Sequence, residues 1–212
     1  MLALKNPALP SLILIISCLF LILVTPLVSM ESSPLIFSIN YIIIYLSALF
    51  TLKASKILRW IIIVSIMLQF VTQIMDLPVL EVLSFIGNFV FFIFIVIKLT
   101  LVIAAKKEVT PVVMLDAVSA YLLIGISFFI VNLLVARSLP GSFIGPGGNV
   151  EEMESILYYT FVTYTTLGYG EILPGSSITR SLSNFCALSG QVYLTLVIAL
   201  IVGKYLAKST PA

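Results

Sequence analysis

Apolar residues in this chain run in unbroken stretches instead of alternating with polar ones, a pattern that predicts helices in an apolar medium and not half-buried strands. The runs are Ser11 to Val28, Leu35 to Leu52, Trp60 to about Pro78, Leu83 to about Ala104, about Asp116 to Ala136, and Ser181 to Leu206. Each comes close to the roughly 20 residues that a helix needs to cross about 30 Å of hydrocarbon, where only helices and closed barrels satisfy their own backbone. Between the fifth and sixth runs lies a shorter apolar and aromatic stretch, Ile156 to Leu167, flanked by Gly, Pro and Glu. It is too short to span and has the profile of a re-entrant segment.

Composition sharpens this picture. Of 212 residues, 61% are hydrophobic and 9% charged, whereas about a quarter of the residues of a soluble domain carry charge. Histidine is absent, which removes the commonest neutral-pH acid–base group and metal ligand. No paired carboxylate falls within the spans, so an intramembrane enzyme has no candidate catalytic group and no enzyme is expected. Cys18 and Cys186 lie far apart inside apolar runs, which points to neither a disulfide framework nor a zinc site. A net charge of +2 is too balanced to imply a nucleic-acid partner. The first run follows Lys5 but lacks a clear small-residue cleavage site, so a spanning helix is favoured over a removed signal peptide.

Orientation follows from the placement of Lys and Arg, which collect on the cytoplasmic side. With both termini inside, Lys5, Lys53, Lys56, Arg59, Lys106, Lys107, Lys204 and Lys208 are cytoplasmic, and Lys98 lies near enough to the inner end of the fourth helix to snorkel there. Arg137 and Arg180 remain outside, together with Glu31, Asp76, Glu81, Glu151, Glu152, Glu154 and Glu171. The fourth span offers Lys98 alone where a voltage sensor needs about 3 to 4 gating charges, so strong voltage sensing is not expected. Thr110-Pro111 reads as the start of a new helix, an interfacial link between the fourth and fifth spans. Asp116 is either paired with a nearby Lys at the inner interface or engaged in gating, the first being favoured.

After the fifth span come Leu139-Pro140-Gly141-Ser142 and Gly145-Pro146-Gly147-Gly148-Asn149, the composition of an extracellular loop. Asn149 with Glu152 has the spacing of a helix N-cap with an acidic third position, and a helix from about Glu151 to Thr163 would be about 18 Å long, reaching only partway into a bilayer. Next runs Thr163-Tyr164-Thr165-Thr166-Leu167-Gly168-Tyr169-Gly170-Glu171. Irregular backbone at membrane depth is tolerated only where protein or a wet cavity surrounds it. Alternating glycines let successive carbonyls face one side, and oxygen cages of that kind replace the water shell of a hard cation. One strip cannot encircle an ion, so several copies in a symmetric ring are implied.

These residues resemble the pore of potassium channels: Thr166-Leu167-Gly168-Tyr169-Gly170 is similar to the selectivity filter of that family, with Leu167 where Val is usual. The likeness extends to Tyr158 and Tyr159, where the family carries aromatics behind the filter; to Val162, where members carry either an acid or an apolar residue; to Glu171 in place of the commoner Asp; and to Pro174, Arg180 and Gly190. It covers about Asp116 to Leu206. It implies that Thr166, Leu167, Gly168 and Tyr169 coordinate K⁺ through their carbonyls, with the Thr166 hydroxyl completing the innermost site and Gly170 closing the strip. Tyr158, Tyr159 and Thr165 would support the filter, Glu171 and Arg180 would stand at the outer mouth, and Gly190 would be either a gating hinge or a close-packing site. Gln191 and Tyr193 either line the cavity or bond between helices.

The fold class expected is therefore an all-α transmembrane protein with six spanning helices, a re-entrant pore helix and a filter, assembled as a homotetramer. Residues 1–108 would form a four-helix domain lacking gating arginines, and residues 109–212 a pore domain, with linker and outer helix 109–138, pore helix 151–163, filter 164–171 and inner helix 180–206. With nine residues after Gly203, no cytoplasmic ligand-binding domain is expected, and regulation by a ligand would fall to another subunit. The expected activity is passive K⁺ conduction across the cell membrane, with K⁺ as the permeant ion, lipid as the surroundings and no cofactor. The rival readings are a weakly selective cation channel and a non-conducting scaffold or regulatory subunit.

Overall fold

The computed structural model describes residues 8–27, 33–52, 60, 62–68, 71, 78–106 and 108–209. Six labelled helices carry the fold: α1 (Ala8–Leu23, followed by a 3₁₀ turn at Thr25–Leu27), α2 (Ser33–Thr51), α3 (Pro78–Ala105), α4 (Pro111–Ser138), α5 (Met153–Tyr164) and α6 (Ser177–Ser209). Residues 62–68, between α2 and α3, are also helical; the rest of the third apolar run lies largely outside the described residues. Among the described residues, four stretches are long and apolar enough to cross a membrane: Ala8–Leu27, Val82–Ala105, Pro111–Ser138 and Ser177–Lys204. In α2 the apolar part, Ile36–Thr51, is shorter.

Helix α4 is the hub. It packs on α1, α3, α5 and α6, and 67% of its apolar window is buried. The corresponding figure for α6 is 11%, so one chain leaves that equally apolar helix largely uncovered. The core between α2, α3 and α4 is aromatic. Tyr45 sits against Phe91 at 4.3 Å and stacks on Phe92 at 5.8 Å, and its hydroxyl donates to Asn88. Such pairs add to the area they bury.

The expected interfacial link before α4 is instead part of one continuous helix. Thr110 has extended backbone and its Oγ1 accepts from the Val113 N–H at 3.4 Å, while Pro111 takes the first helical position, where its missing N–H costs nothing. The buried Asp116 carboxylate accepts from the Ser11 hydroxyl at 2.6 Å, which joins α1 to α4, and it also feels the positive charge of Lys106, so a nearby lysine is among its partners as the sequence suggested.

The stretch after α4 is more ordered than its Gly and Pro content implied, and it adds β-structure to the expected all-α fold. Strand β1 (Phe143–Gly145) pairs antiparallel with β2 (Gly148–Asn149) and with β3 (Leu173–Pro174), giving the order β2-β1-β3. Pro146-Gly147 is the two-residue connection of the hairpin, a length that favours tight turns. Phe143 is fully buried and meets Tyr159 edge-on at 4.9 Å. Because Asn149 belongs to β2, Glu152 takes the N-cap position of α5, with no side-chain capping bond.

Three contacts show which helix ends lie together. Ser11 meets Asp116 at the starts of α1 and α4. Lys204 on α6 donates to the carbonyls of Ile103 at 2.8 Å, Ala104 at 3.0 Å and Lys106 at 2.7 Å, so α3 and α6 finish side by side. Pro26, just past α1, lines one cavity with the hairpin and the start of α5.

Candidate functional site: the strip between two helices

Helix α5 has 12 residues, too short to span a bilayer, and its carbonyl end feeds directly into the strip. The Thr165 N–H donates to the Phe161 carbonyl and the Thr166 N–H to that of Thr163, each at 3.0 Å. The Val162 carbonyl accepts twice, from Leu167 at 2.9 Å and Gly168 at 3.3 Å. The last turn of α5 thus takes up the N–H groups of the strip's first half. Thr165 adds its hydroxyl, donating to the Phe161 carbonyl at 2.7 Å.

The strip's own carbonyls are treated differently. Thr166, Gly168 and Gly170 have φ values of +61°, +64° and +85°, while Leu167 and Tyr169 are not in the positive region. Residues that alternate between the two hands of the backbone turn successive carbonyls to one side, and glycine adopts the positive value at least cost. Among the described residues no backbone N–H donates to the carbonyls of Thr166, Leu167, Gly168 or Tyr169. The result is a row of acceptors whose partners must come from outside the chain.

Behind the strip stands Tyr164, which the sequence placed at the start of the filter segment and the structure places as the last residue of α5. It is fully buried, donates to the Tyr121 carbonyl at 3.0 Å, and packs against Tyr121, Phe128 and Phe161. Tyr159, expected behind the filter, hydrogen-bonds Ser183 on α6 and packs on Phe143 within its own chain. Tyr158 is half-exposed, and the Glu171 carboxylate beside it pushes its phenol up to about 12.

The acids do not form one group. Glu171 faces Tyr158, whereas Glu152 and Glu154 line a 470 Å³ cavity with Pro26, Gly147, Gly148 and Ile172. Arg180 donates to the Pro174 carbonyl at 3.4 Å, tying the start of α6 to β3.

On α6, Gly190 lies directly against the Tyr164 carbonyl: a Cβ there would sit 2.3 Å from that oxygen, so the position is a close-packing site. The next residue, Gln191, donates from Nε2 to Thr166 Oγ1 at 3.1 Å, and Tyr193 donates to the Ala117 carbonyl on α4 at 2.9 Å. Of the two polar residues left open by the sequence, one reaches the strip and the other bonds between helices. Asn132 on α4 donates to Thr160 on α5 at 2.9 Å, a buried contact that no sequence motif marked.

Residues 118–207 match the family model described as ion channel. A stretch of 59 residues is 34% identical to the potassium voltage-gated channel protein Shal of Drosophila melanogaster, covering 28% of this chain and 10% of that protein. The match therefore spans about a tenth of the length of this curated relative. No solved structure matches the chain. The matched segment contains α5, the strip, three quarters of α4 and nearly all of α6; it is similar to an ion-channel segment, and both matches support the potassium channel pore family, in a chain whose helices are apolar enough to cross a membrane.

Proposed function

We propose that the protein is a potassium-selective channel in which four copies surround one axis, each contributing the strip Thr166 to Gly170. The observation that carries this reading is the alternating backbone of the strip, with its row of free carbonyls. Four such rows form rings of oxygen that take the place of the hydration shell of K⁺. The carbonyl end of α5 points its partial negative charge toward the inner end of the strip, which favours a cation there. The bare apolar surface of α6 supports assembly, because in the single chain it has few protein neighbours. Glu171 and Arg180 stand near the outer end of the strip, and conduction is passive.

In the same reading, six helices cross the cell membrane with both termini cytoplasmic. Residues 1–108 form a supporting four-helix domain and residues 109–212 the pore domain. Lys98 projects from the exposed face of α3 beside the Phe94 ring at 5.6 Å, a place suited to an interfacial anchor.

The test is flux from liposomes under a K⁺ gradient, comparing the native chain with Gly168→Ala. At φ +64° an alanine is strained, so the variant should lose flux. Equal flux in both would overturn the pore assignment, and a reversal potential that ignores the K⁺/Na⁺ gradient would overturn the selectivity.

A further inference from the structure

We propose that Gln191 is a positioning residue for the innermost cation site, acting through the Thr166 hydroxyl. This rests on the reading of Thr166 to Tyr169 as the cation path and names a further residue that sets its selectivity.

Helix α6 packs against the end of α5 at Gly190, which has no side chain to hold it off the Tyr164 carbonyl. The residue that follows is thereby carried beneath the strip. Gln191 Nε2 donates to Thr166 Oγ1 at 3.1 Å, and both side chains are exposed in the single chain, so neither is committed to the core. The Gln191 backbone is secured in turn, since its carbonyl accepts from the Thr195 hydroxyl at 2.8 Å.

A hydroxyl has one proton and two acceptor lone pairs. With one lone pair engaged by the Gln191 amide, the Thr166 proton is turned away from that direction and the second lone pair remains for a cation. Without the donor, the hydroxyl rotates freely and spends part of its time presenting a proton to the ion. An oxygen ligand with a fixed direction discriminates between cations of different radius better than a rotating one, because it does not follow the smaller ion inward. Gln191 thus couples the inner helix to the chemistry of the filter's innermost position.

The experiment uses the full chain in planar bilayers at pH 8, with K⁺ on one side and Na⁺ on the other, and reads the permeability ratio from the reversal potential. The variants are Gln191→Leu and Gln191→Met, each of which removes the amide donor and leaves an apolar side chain of similar reach. Loss of one neutral hydrogen bond corresponds to about a fivefold change, so the K⁺/Na⁺ ratio should fall by about that factor in both. A residue that merely lined the cavity would leave the ratio unchanged in both, whatever the change in current. The ratio is a property of each open channel and does not move if a variant simply folds in lower yield. Where Gln191→Leu yields no current, Gln191→Met decides. A native channel that selects K⁺, with its ratio retained in Gln191→Met, overturns this assignment alone; a native chain that shows no K⁺ preference overturns the pore reading beneath it.

Discussion

Gly190 and Tyr164 meet so closely that the inner helix could not carry any side chain at this point: a Cβ on Gly190 would stand 2.3 Å from the Tyr164 carbonyl oxygen and 3.2 Å from its ring. Tyr164 ends α5 and is itself held by the Tyr121 carbonyl. Through this one contact the outer helix, the short helix and the inner helix share a fixed separation just below the strip. Gly190→Ala should therefore lower the thermal unfolding midpoint, with a cost of about 1 to 3 kcal/mol from overpacking. Differential scanning fluorimetry in detergent checks this, and an unchanged midpoint would show that the helices separate easily here.

A second prediction concerns Asn132 and Thr160. The Asn132 amide donates to the Thr160 hydroxyl, while the amide oxygen is buried with no partner among the described residues. Thr160→Val removes the acceptor and should cost about 1 to 3 kcal/mol by leaving the amide unpaired as well. Adding Asn132→Leu should restore most of that stability, because replacing both partners with apolar groups is close to neutral. Unfolding midpoints of the two single variants and the pair form the cycle that checks it.

At the other end of α6, Lys204 binds three carbonyls at the end of α3, where helical carbonyls lack partners of their own. Lys204→Met should release these groups. Because the site is partly open to water, the stability cost should be no more than about 1 kcal/mol. The larger effect should be local: faster amide exchange in the last turns of α3 and α6 than in the native chain. Lys204→Arg, which keeps the charge and the donors, should leave exchange slow.

Voltage response is the fourth prediction. Lys98 is exposed on α3 and rests beside Phe94, with no row of basic residues along the helix. Moving one elementary charge across the whole membrane is worth about 2.3 kcal/mol per 100 mV, and a single exposed charge near one end traverses little of it. Conductance–voltage curves of the native chain and Lys98→Gln should be equally shallow. A steep native curve that flattens in the variant would refute this.

Much of the fold was legible in the linear pattern, for a specific physical reason. Hydrocarbon leaves so few ways to satisfy a backbone that run length goes far toward locating the helices. The strip was legible too, since the alternation at Thr166, Gly168 and Gly170 needs residues that tolerate positive φ, and two of the three are glycine. Thr166 is the exception, held at +61° where sequence preference argues against it.

The sequence by itself determined that apolar helices dominate, where a short one interrupts them, and which five residues form the strip, because these depend on local composition and backbone chemistry. Only the tertiary structure decided which polar side chains find each other. Ser11 and Asp116, Asn132 and Thr160, Gln191 and Thr166 are separated by 105, 28 and 25 residues, and in an apolar setting a lone hydroxyl or amide takes whichever partner packing brings within reach. The hairpin was hidden for a similar reason: its strands are two or three residues long, and what holds Phe143 there is Tyr159, a neighbour contributed by the short helix.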